Sequence, residues 1–161
     1  MAERLPSSNE MVMSALLRHA RNTYGSAMRL ALAEAGYDDI PRNGLYVIGG
    51  LALSEHRIPL GQLIRELRIS KQAAGQLVDM LVLRGYLERS VDSQDRRKLT
   101  VMLTERGLAA AATQAAARKR IDSELLARVG QESIDHTCVT LAALIEIGAE
   151  QPRLDEDERG D

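Results

Sequence analysis

Two short runs of alternating residues constrain this chain more than any other feature. Leu87, Arg89 and Val91 alternate with Glu88 and Ser90, and Leu99, Val101 and Leu103 recur with Lys98, Thr100 and Met102 between them. A period of two is a strand signal, and the polar link Asp92-Ser93-Gln94-Asp95 joins the two runs into a predicted β-hairpin. Elsewhere Ala and Leu are abundant and β-branched residues few, so helix should dominate.

The helices follow from spacing and punctuation. From Asn9 to about Ala35, Met13, Leu16, Leu17, Ala20, Tyr24, Ala27 and Ala31 fall at helical intervals; Asn9 suits a cap and Gly36 a stop. This helix is long for a small domain, and its apolar stripe serves either the core or a dimer arm. Pro41 suits the opening of a second helix, about Arg42 to Leu53, in which Gly49 and Gly50 each cost about 1 kcal/mol and so imply the close approach of a neighbouring helix. His56 to Pro59 is extended. A third helix, Leu60 to Arg68, turns inward Leu63, Ile64 and Leu67. Ile69 forms the turn, and Ser70 caps a fourth helix, Lys71 to Arg84, whose apolar face is Ala73, Ala74, Leu77, Val78, Met80 and Leu81, with Gly85 as its stop. After the hairpin, Thr104 caps a helix from Glu105 to Arg128 and Gly130 ends it. The last helix, Gln131 to Ala149, carries Ile134, Cys138, Leu141, Ile145 and Gly148 on one stripe.

The chain of 161 residues is 45% hydrophobic and 27% charged, which fits one compact unit, or a small domain with attachments, and excludes wholesale disorder. Met1 to Ser8 reads as a loose arm and Asp155 to Asp161 as an acidic tail. No apolar run reaches a membrane span and no signal peptide is legible. Cys138 is the single cysteine, which excludes an intrachain disulfide and a CxxC knuckle; a cytoplasmic protein is expected. The aromatic residues are four tyrosines, with no Phe or Trp, which argues against reading single strands by base stacking. The net charge is −2, yet His56 to Arg106 holds ten Lys/Arg against six Asp/Glu. A basic middle between acidic flanks is a local footprint for a polyanion.

Residues 60–103 therefore read helix, tight turn, helix and basic-tipped hairpin. In a helix–turn–helix the second helix enters the major groove of DNA. Outside its apolar face lie Ser70, Lys71, Gln72, Gly75, Gln76 and Asp79. Gln72 and Gln76 are one turn apart and project together; Gln pairs with adenine, Lys with guanine or phosphate, and Ser70 with the first-turn amides suits a phosphate. The bland alternative is a solvated helix face. Asp79 fits a place beyond the groove, a pair with an arginine, or cytosine, and the structural pairing is preferred. At the hairpin tip Arg96, Arg97 and Lys98 can reach phosphate or a narrow A·T-rich minor groove, with Asp95 steadying a guanidinium; the alternative is a solvated turn whose ion pair contributes little.

The run Leu87-Glu88-Arg89, Asp92-Ser93-Gln94-Asp95-Arg96-Arg97 and Leu103-Thr104-Glu105-Arg106-Gly107 resembles the wing signature of the MarR family of regulators. Ile69-Ser70-Lys71-Gln72-Ala73-Ala74, Leu77-Val78, Leu81 and Arg84-Gly85-Tyr86-Leu87 resemble its recognition helix. The match is dense over about 58–107, and the flanks fit by helical order. The resemblance implies a mainly α fold with a small β-hairpin wing: a winged helix–turn–helix domain (41–104) flanked by dimerisation helices (1–40 and 105–150), with a disordered acidic tail (151–161). It implies a homodimer on palindromic double-stranded DNA, usually a repressor, with Arg97 as the minor-groove arginine and Asp95 as its support. A dimer is also physically reasonable, because two reading helices about 34 Å apart multiply discrimination.

The same resemblance implies a small anionic aromatic effector, for which Arg18, His19, Tyr24 and Tyr46 are the expected residues. Cys138 lies on the inner stripe of the last helix and is expected to be a buried, inert thiol. His19, His56 and His136 lack metal-ligand spacing, and neither a cofactor nor a metal is expected. There is no nucleophile–base–orienter set, no glycine-rich phosphate loop and no paired carboxylates, so an enzyme is not expected. A winged helix used only for protein contact is the remaining alternative, which the basic tip opposes.

Overall fold

The computed structural model describes residues 12–54, 57–67, 69–91 and 99–150. In order they form α1 (Met13–Glu34), α2 (Gly44–Leu53), β1 (Arg57–Pro59), α3 (Leu60–Leu67), α4 (Lys71–Leu83), β2 (Leu87–Val91), β3 (Leu99–Leu103) and α5 (Glu105–Glu150). The helical path of α5 is broken at Gly130, at φ 76° and ψ 164°, where the sequence places a stop. The wing tip at 95–98, His56, the cap expected at Asn9 and the tail at 151–161 lie outside the described residues.

The helix ends follow their punctuation. Ser70 caps α4 by accepting the Ala73 N–H at 3.2 Å, and Thr104 caps α5 by accepting that of Gly107 at 3.0 Å. Both α1 and α4 end in a Gly-Tyr pair whose glycine has positive φ, 81° at Gly36 and 74° at Gly85. Each closes a Schellman motif. Tyr37 N–H donates to Leu32 O and Gly36 N–H to Ala33 O; Tyr86 N–H donates to Leu81 O and Gly85 N–H to Val82 O.

The strands form one antiparallel sheet in the order β1-β3-β2, with Ile58 opposite Val101 and Leu87 opposite Leu103. Only the near end of the hairpin reaches the core. Leu87, Val101 and Leu103 are buried, whereas Val91 and Leu99, a facing pair at the outer end, are exposed. The alternation is thus correct as a strand signal, but its outermost members project past the helices.

The described residues fall into two units, divided between Ile121 and Asp122. In the first, α2 supplies Leu45, Val47, Ile48 and Leu51 to the core, and α4 supplies Ala74, Leu77, Val78 and Leu81. Tyr86 is the largest fully buried side chain. Two expectations fail here. Met80 is 39% exposed rather than core, since α4 buries a narrower stripe than its composition suggests. In α1 the buried residues are Gly25, Met28 and Leu32, while Met13, Leu16 and Ala20 are exposed; only the second half of that helix meets the core.

The glycines of α2 differ from each other. A Cβ on Gly49 would stand 3.0 Å from Oε1 of Gln114 on α5, which supplies the close approach expected from the sequence, whereas Gly50 faces open space. In the second unit no described residue is fully buried. Leu125, Leu126, Val129, Val139, Leu144, Ile145 and Ile147 are all exposed. So is Cys138, which corrects the expected burial.

Candidate nucleic-acid interface

The outer face of α4 is built by what its inner face buries. With Ala74, Leu77, Val78 and Leu81 inward, helical geometry turns Lys71, Gln72 and Gln76 to solvent, and all three are exposed. Ser70 is exposed at the helix start, with its oxygen engaged by the cap, and Gly75 is half-buried. Gln72 and Gln76 therefore project together from an element rigidly seated on the core.

Asp79 would oppose a phosphate if it stood alone. Its Oδ1 accepts a hydrogen bond from Nη2 of Arg89 on β2, so the acid of this face is neutralised by the hairpin beside it. This is the arginine pairing that the sequence left open. The pair also ties the orientation of the hairpin to that of α4. Sequence reasoning placed no role on Arg89; the signal available was a charged residue on the strand face shared with Leu87 and Val91.

Behind the hairpin lies a polar knot that the sequence did not disclose. The Tyr86 hydroxyl donates to Oδ1 of Asp39, and Arg84 Nη1 donates to the Asp39 carbonyl. Nη2 of Arg106 donates to Asp39 Oδ1 at 3.1 Å and to the Tyr86 hydroxyl at 3.0 Å. The Arg106 guanidinium lies 4.6 Å from the Tyr86 ring centre and 5.8 Å from that of Tyr37, and the two rings meet edge to face at 6.2 Å. The hydrogen bond from Tyr86 holds the Asp39 carboxyl below its ordinary range, and the charge of Arg106 adds to this. Burial raises the Tyr86 phenol, and the bond to Asp39 raises it further. The knot joins the link between α1 and α2 to the end of α4 and the start of α5.

The floor of the hairpin is close-packed against α5. A Cβ on Gly107 would fall 2.1 Å from the Tyr86 carbonyl oxygen, so no side chain fits there. The Thr104 hydroxyl donates to the Gly85 carbonyl, and Thr104 N–H donates to Tyr86 O at 3.1 Å.

The residues expected for an effector are dispersed. Arg18 and His19 are exposed on α1, and Tyr24 is half-buried against the core. Tyr46 stands at the rim of α2, where its hydroxyl accepts from Nε of Arg21 at 3.2 Å. Tyr46 lines two concavities. The larger, about 700 Å³, runs between α2, β1 and α3; the smaller, about 240 Å³, lies against α1 and includes Arg18. Neither includes His19 or Tyr24. Among the described residues no cluster of three metal-ligating side chains occurs, and no helix is long and apolar enough to cross a membrane.

Two helices, α3 and α4, set between β1 and the β2–β3 hairpin of a three-stranded antiparallel sheet define a winged helix–turn–helix fold. Residues 38–98 match the model of the MarR family. No curated protein sequence matches it. Solved structures share the fold. Streptococcus pneumoniae FabT, solved in complex with DNA, superposes with a TM-score of 0.73 at 19% identity, covering 86% of this chain and 96% of FabT. S. aureus MepR in its DNA-binding conformation gives 0.69 at 17%, covering 84% and 98%. Apo MarR from E. coli gives 0.61 at 18%, covering 83% and 96%.

Proposed function

We propose that this chain is a sequence-specific, double-stranded DNA-binding transcriptional regulator: a homodimer that represses by occupying a palindromic site and leaves it when a small anionic aromatic effector binds. The observation that carries the reading is the outer face of α4. It presents Lys71, Gln72 and Gln76 from a core-anchored helix while Arg89 cancels its acid. Ser70 and Lys71 meet phosphate, Gln72 and Gln76 read base edges, and Gly75 lets the helix approach closely. Arg96, Arg97 and Lys98 follow the hairpin into the adjacent minor groove, with Asp95 beside Arg97. The FabT fold, bound to DNA in its own structure, supports this placement.

Residues 41–104 are the DNA-binding domain in this reading, with 1–40 and 105–150 making the dimer. The exposed Cys138 and Ile145 are the support, since they share one stripe of the last helix and uncovered apolar residues on one helix face mark a partner surface. The larger concavity, with Tyr46 and Arg21 at its rim and Val47, Leu51 and Ile58 in its wall, has the volume and mixed lining of an effector site. The chain acts by binding, without catalysis, in the cytoplasm.

The test is a fluorescence-anisotropy titration of the full chain with duplex DNA from upstream of its own gene. Affinity should fall by roughly 10³-fold or more between about 50 and 200 mM salt if six or more phosphates are contacted. Arg97→Ala should weaken binding while leaving the melting temperature unchanged. Absent or salt-independent binding would favour the protein-contact reading instead.

A further inference from the structure

The smaller concavity has an unusual lining. Arg18, Arg21 and Arg29 of α1 and Arg42 ahead of α2 all face it, with Asn22, Asn43 and Tyr46, and among the described residues no carboxylate lines it. The three α1 arginines lie at helical intervals on one stripe. Among the described residues, none of the four forms an ion pair. Two of them are held in place without being neutralised. Arg21 donates Nε to the Tyr46 hydroxyl and lies 4.5 Å from that ring's centre, and Arg29 donates Nη2 to the Ser26 hydroxyl at 3.4 Å. Gly25 forms part of the lining. A Cβ there would stand 3.4 Å from Arg29 Nη1 and 3.5 Å from the Tyr46 hydroxyl, in ordinary contact with both groups. The Tyr46 hydroxyl accepts from Arg21, which leaves its own O–H to donate.

We propose that this groove is a second ligand site, adjoining the effector concavity and sharing Arg21, Asn43 and Tyr46 with it, and that it binds a condensed phosphate. Charge and size decide the class. Four guanidinium groups with no counter-charge among the described residues leave a monocarboxylate three charges short, whereas a di- or triphosphate supplies enough charge and enough oxygens for several forked contacts. A volume of about 240 Å³ is below that of drug-sized pockets and suits a compact anion or the phosphate end of a nucleotide. Tyr46 O–H and the Asn22 and Asn43 amides complete the donor set.

The experiment is calorimetry on the full chain without DNA, at about 0.15 M salt so that non-specific attraction is screened. The probes are tripolyphosphate, pyrophosphate, ATP, citrate and salicylate. Tripolyphosphate and pyrophosphate should bind, and salicylate should be at least tenfold weaker. ATP binding as tightly as tripolyphosphate identifies a nucleotide end; weaker ATP binding identifies the free anion. Arg29→Gln and Arg42→Gln should each lower tripolyphosphate affinity roughly 10- to 100-fold. Tyr46→Phe should lower it less, and Arg120→Gln, outside the groove, should not change it. Circular dichroism confirms that the variants fold. DNA affinity is measured separately: if Arg29→Gln and Arg42→Gln weaken DNA as much as tripolyphosphate, the arginines are backbone contacts and the proposal fails. It fails equally if citrate and salicylate match tripolyphosphate, or if Arg120→Gln has the same effect as the groove variants. Loss of DNA binding in the parent chain would leave this result standing, so the two readings fail independently.

Discussion

The region around α4 and the stretch from Asp122 to Glu150 are both helical and both rich in Leu, Ile, Val and Ala, yet they are finished to different degrees. Around α4 the large apolar groups find partners in α2, the sheet and the near part of α5; Val78, Leu81 and Tyr86 are fully buried. Beyond Asp122 Val139 is 70% exposed and Ile145 73%. Amphipathic pattern alone does not bury a helix; the chain must also supply a surface for it. The first region does so; in the second no described residue is fully buried, which is why the proposed reading assigns it to another copy.

The most direct way to break this comparison is to charge the uncovered face. Leu144→Glu with Ile145→Glu should convert the protein to a monomer by sedimentation and lower DNA affinity by about 10²-fold or more, because the second half-site is no longer tethered. A variant that still sediments as a dimer removes these residues from the interface. Within the finished region, Gly107→Ala forces a methyl group against the Tyr86 carbonyl and should cost about 3 kcal/mol in urea unfolding. An unchanged midpoint would show that the hairpin floor yields more than its packing implies.

Tyr86→Phe should cost about 1 kcal/mol, because Asp39 and Arg106 lose a shared partner. Its pH dependence sharpens the assignment. The lowered Asp39 carboxyl contributes stability above its unfolded pKa, and this is lost as pH falls through the depressed value. The raised Tyr86 phenol contributes below its unfolded pKa, and this is lost as pH rises through the elevated value. The gap between parent and variant should therefore hold across neutral pH and narrow below about pH 4. A gap that persists in acid would place the stabilisation elsewhere. The smallest effect is a gain: Gly50→Ala, facing open space in α2, should stabilise by somewhat under 1 kcal/mol. Gly49→Ala, one residue away, should not, since it meets Gln114.

Local signals were legible and long-range ones were not. The cap at Ser70, the stops at Gly36, Gly85 and Gly130 and both hairpin strands depend on neighbours within a few residues, and the sequence displays them. The stripe of α1 was left open between core and dimer arm because Met13, Leu16 and Met28 are equally apolar; which of them is covered depends on where α2 lies. The pairing of Asp79 with Arg89 was one of several options until β2 was seen beside α4. Asp39, Tyr86 and Arg106 are far apart in sequence with no periodic relation, so nothing local announces their knot. Arg21, Arg29 and Arg42 read as scattered surface charge until α1 and the start of α2 bring them to one groove.

The paired Gly-Tyr stoppers have a mechanical corollary. Because α1 and α4 each end in a tyrosine that abuts the same guanidinium, neither helix can tilt alone without prising a ring from Arg106. The reading helix is pinned to the base of the long arm like two spokes sharing a hub, and a push on one spoke is felt at the rim of the other.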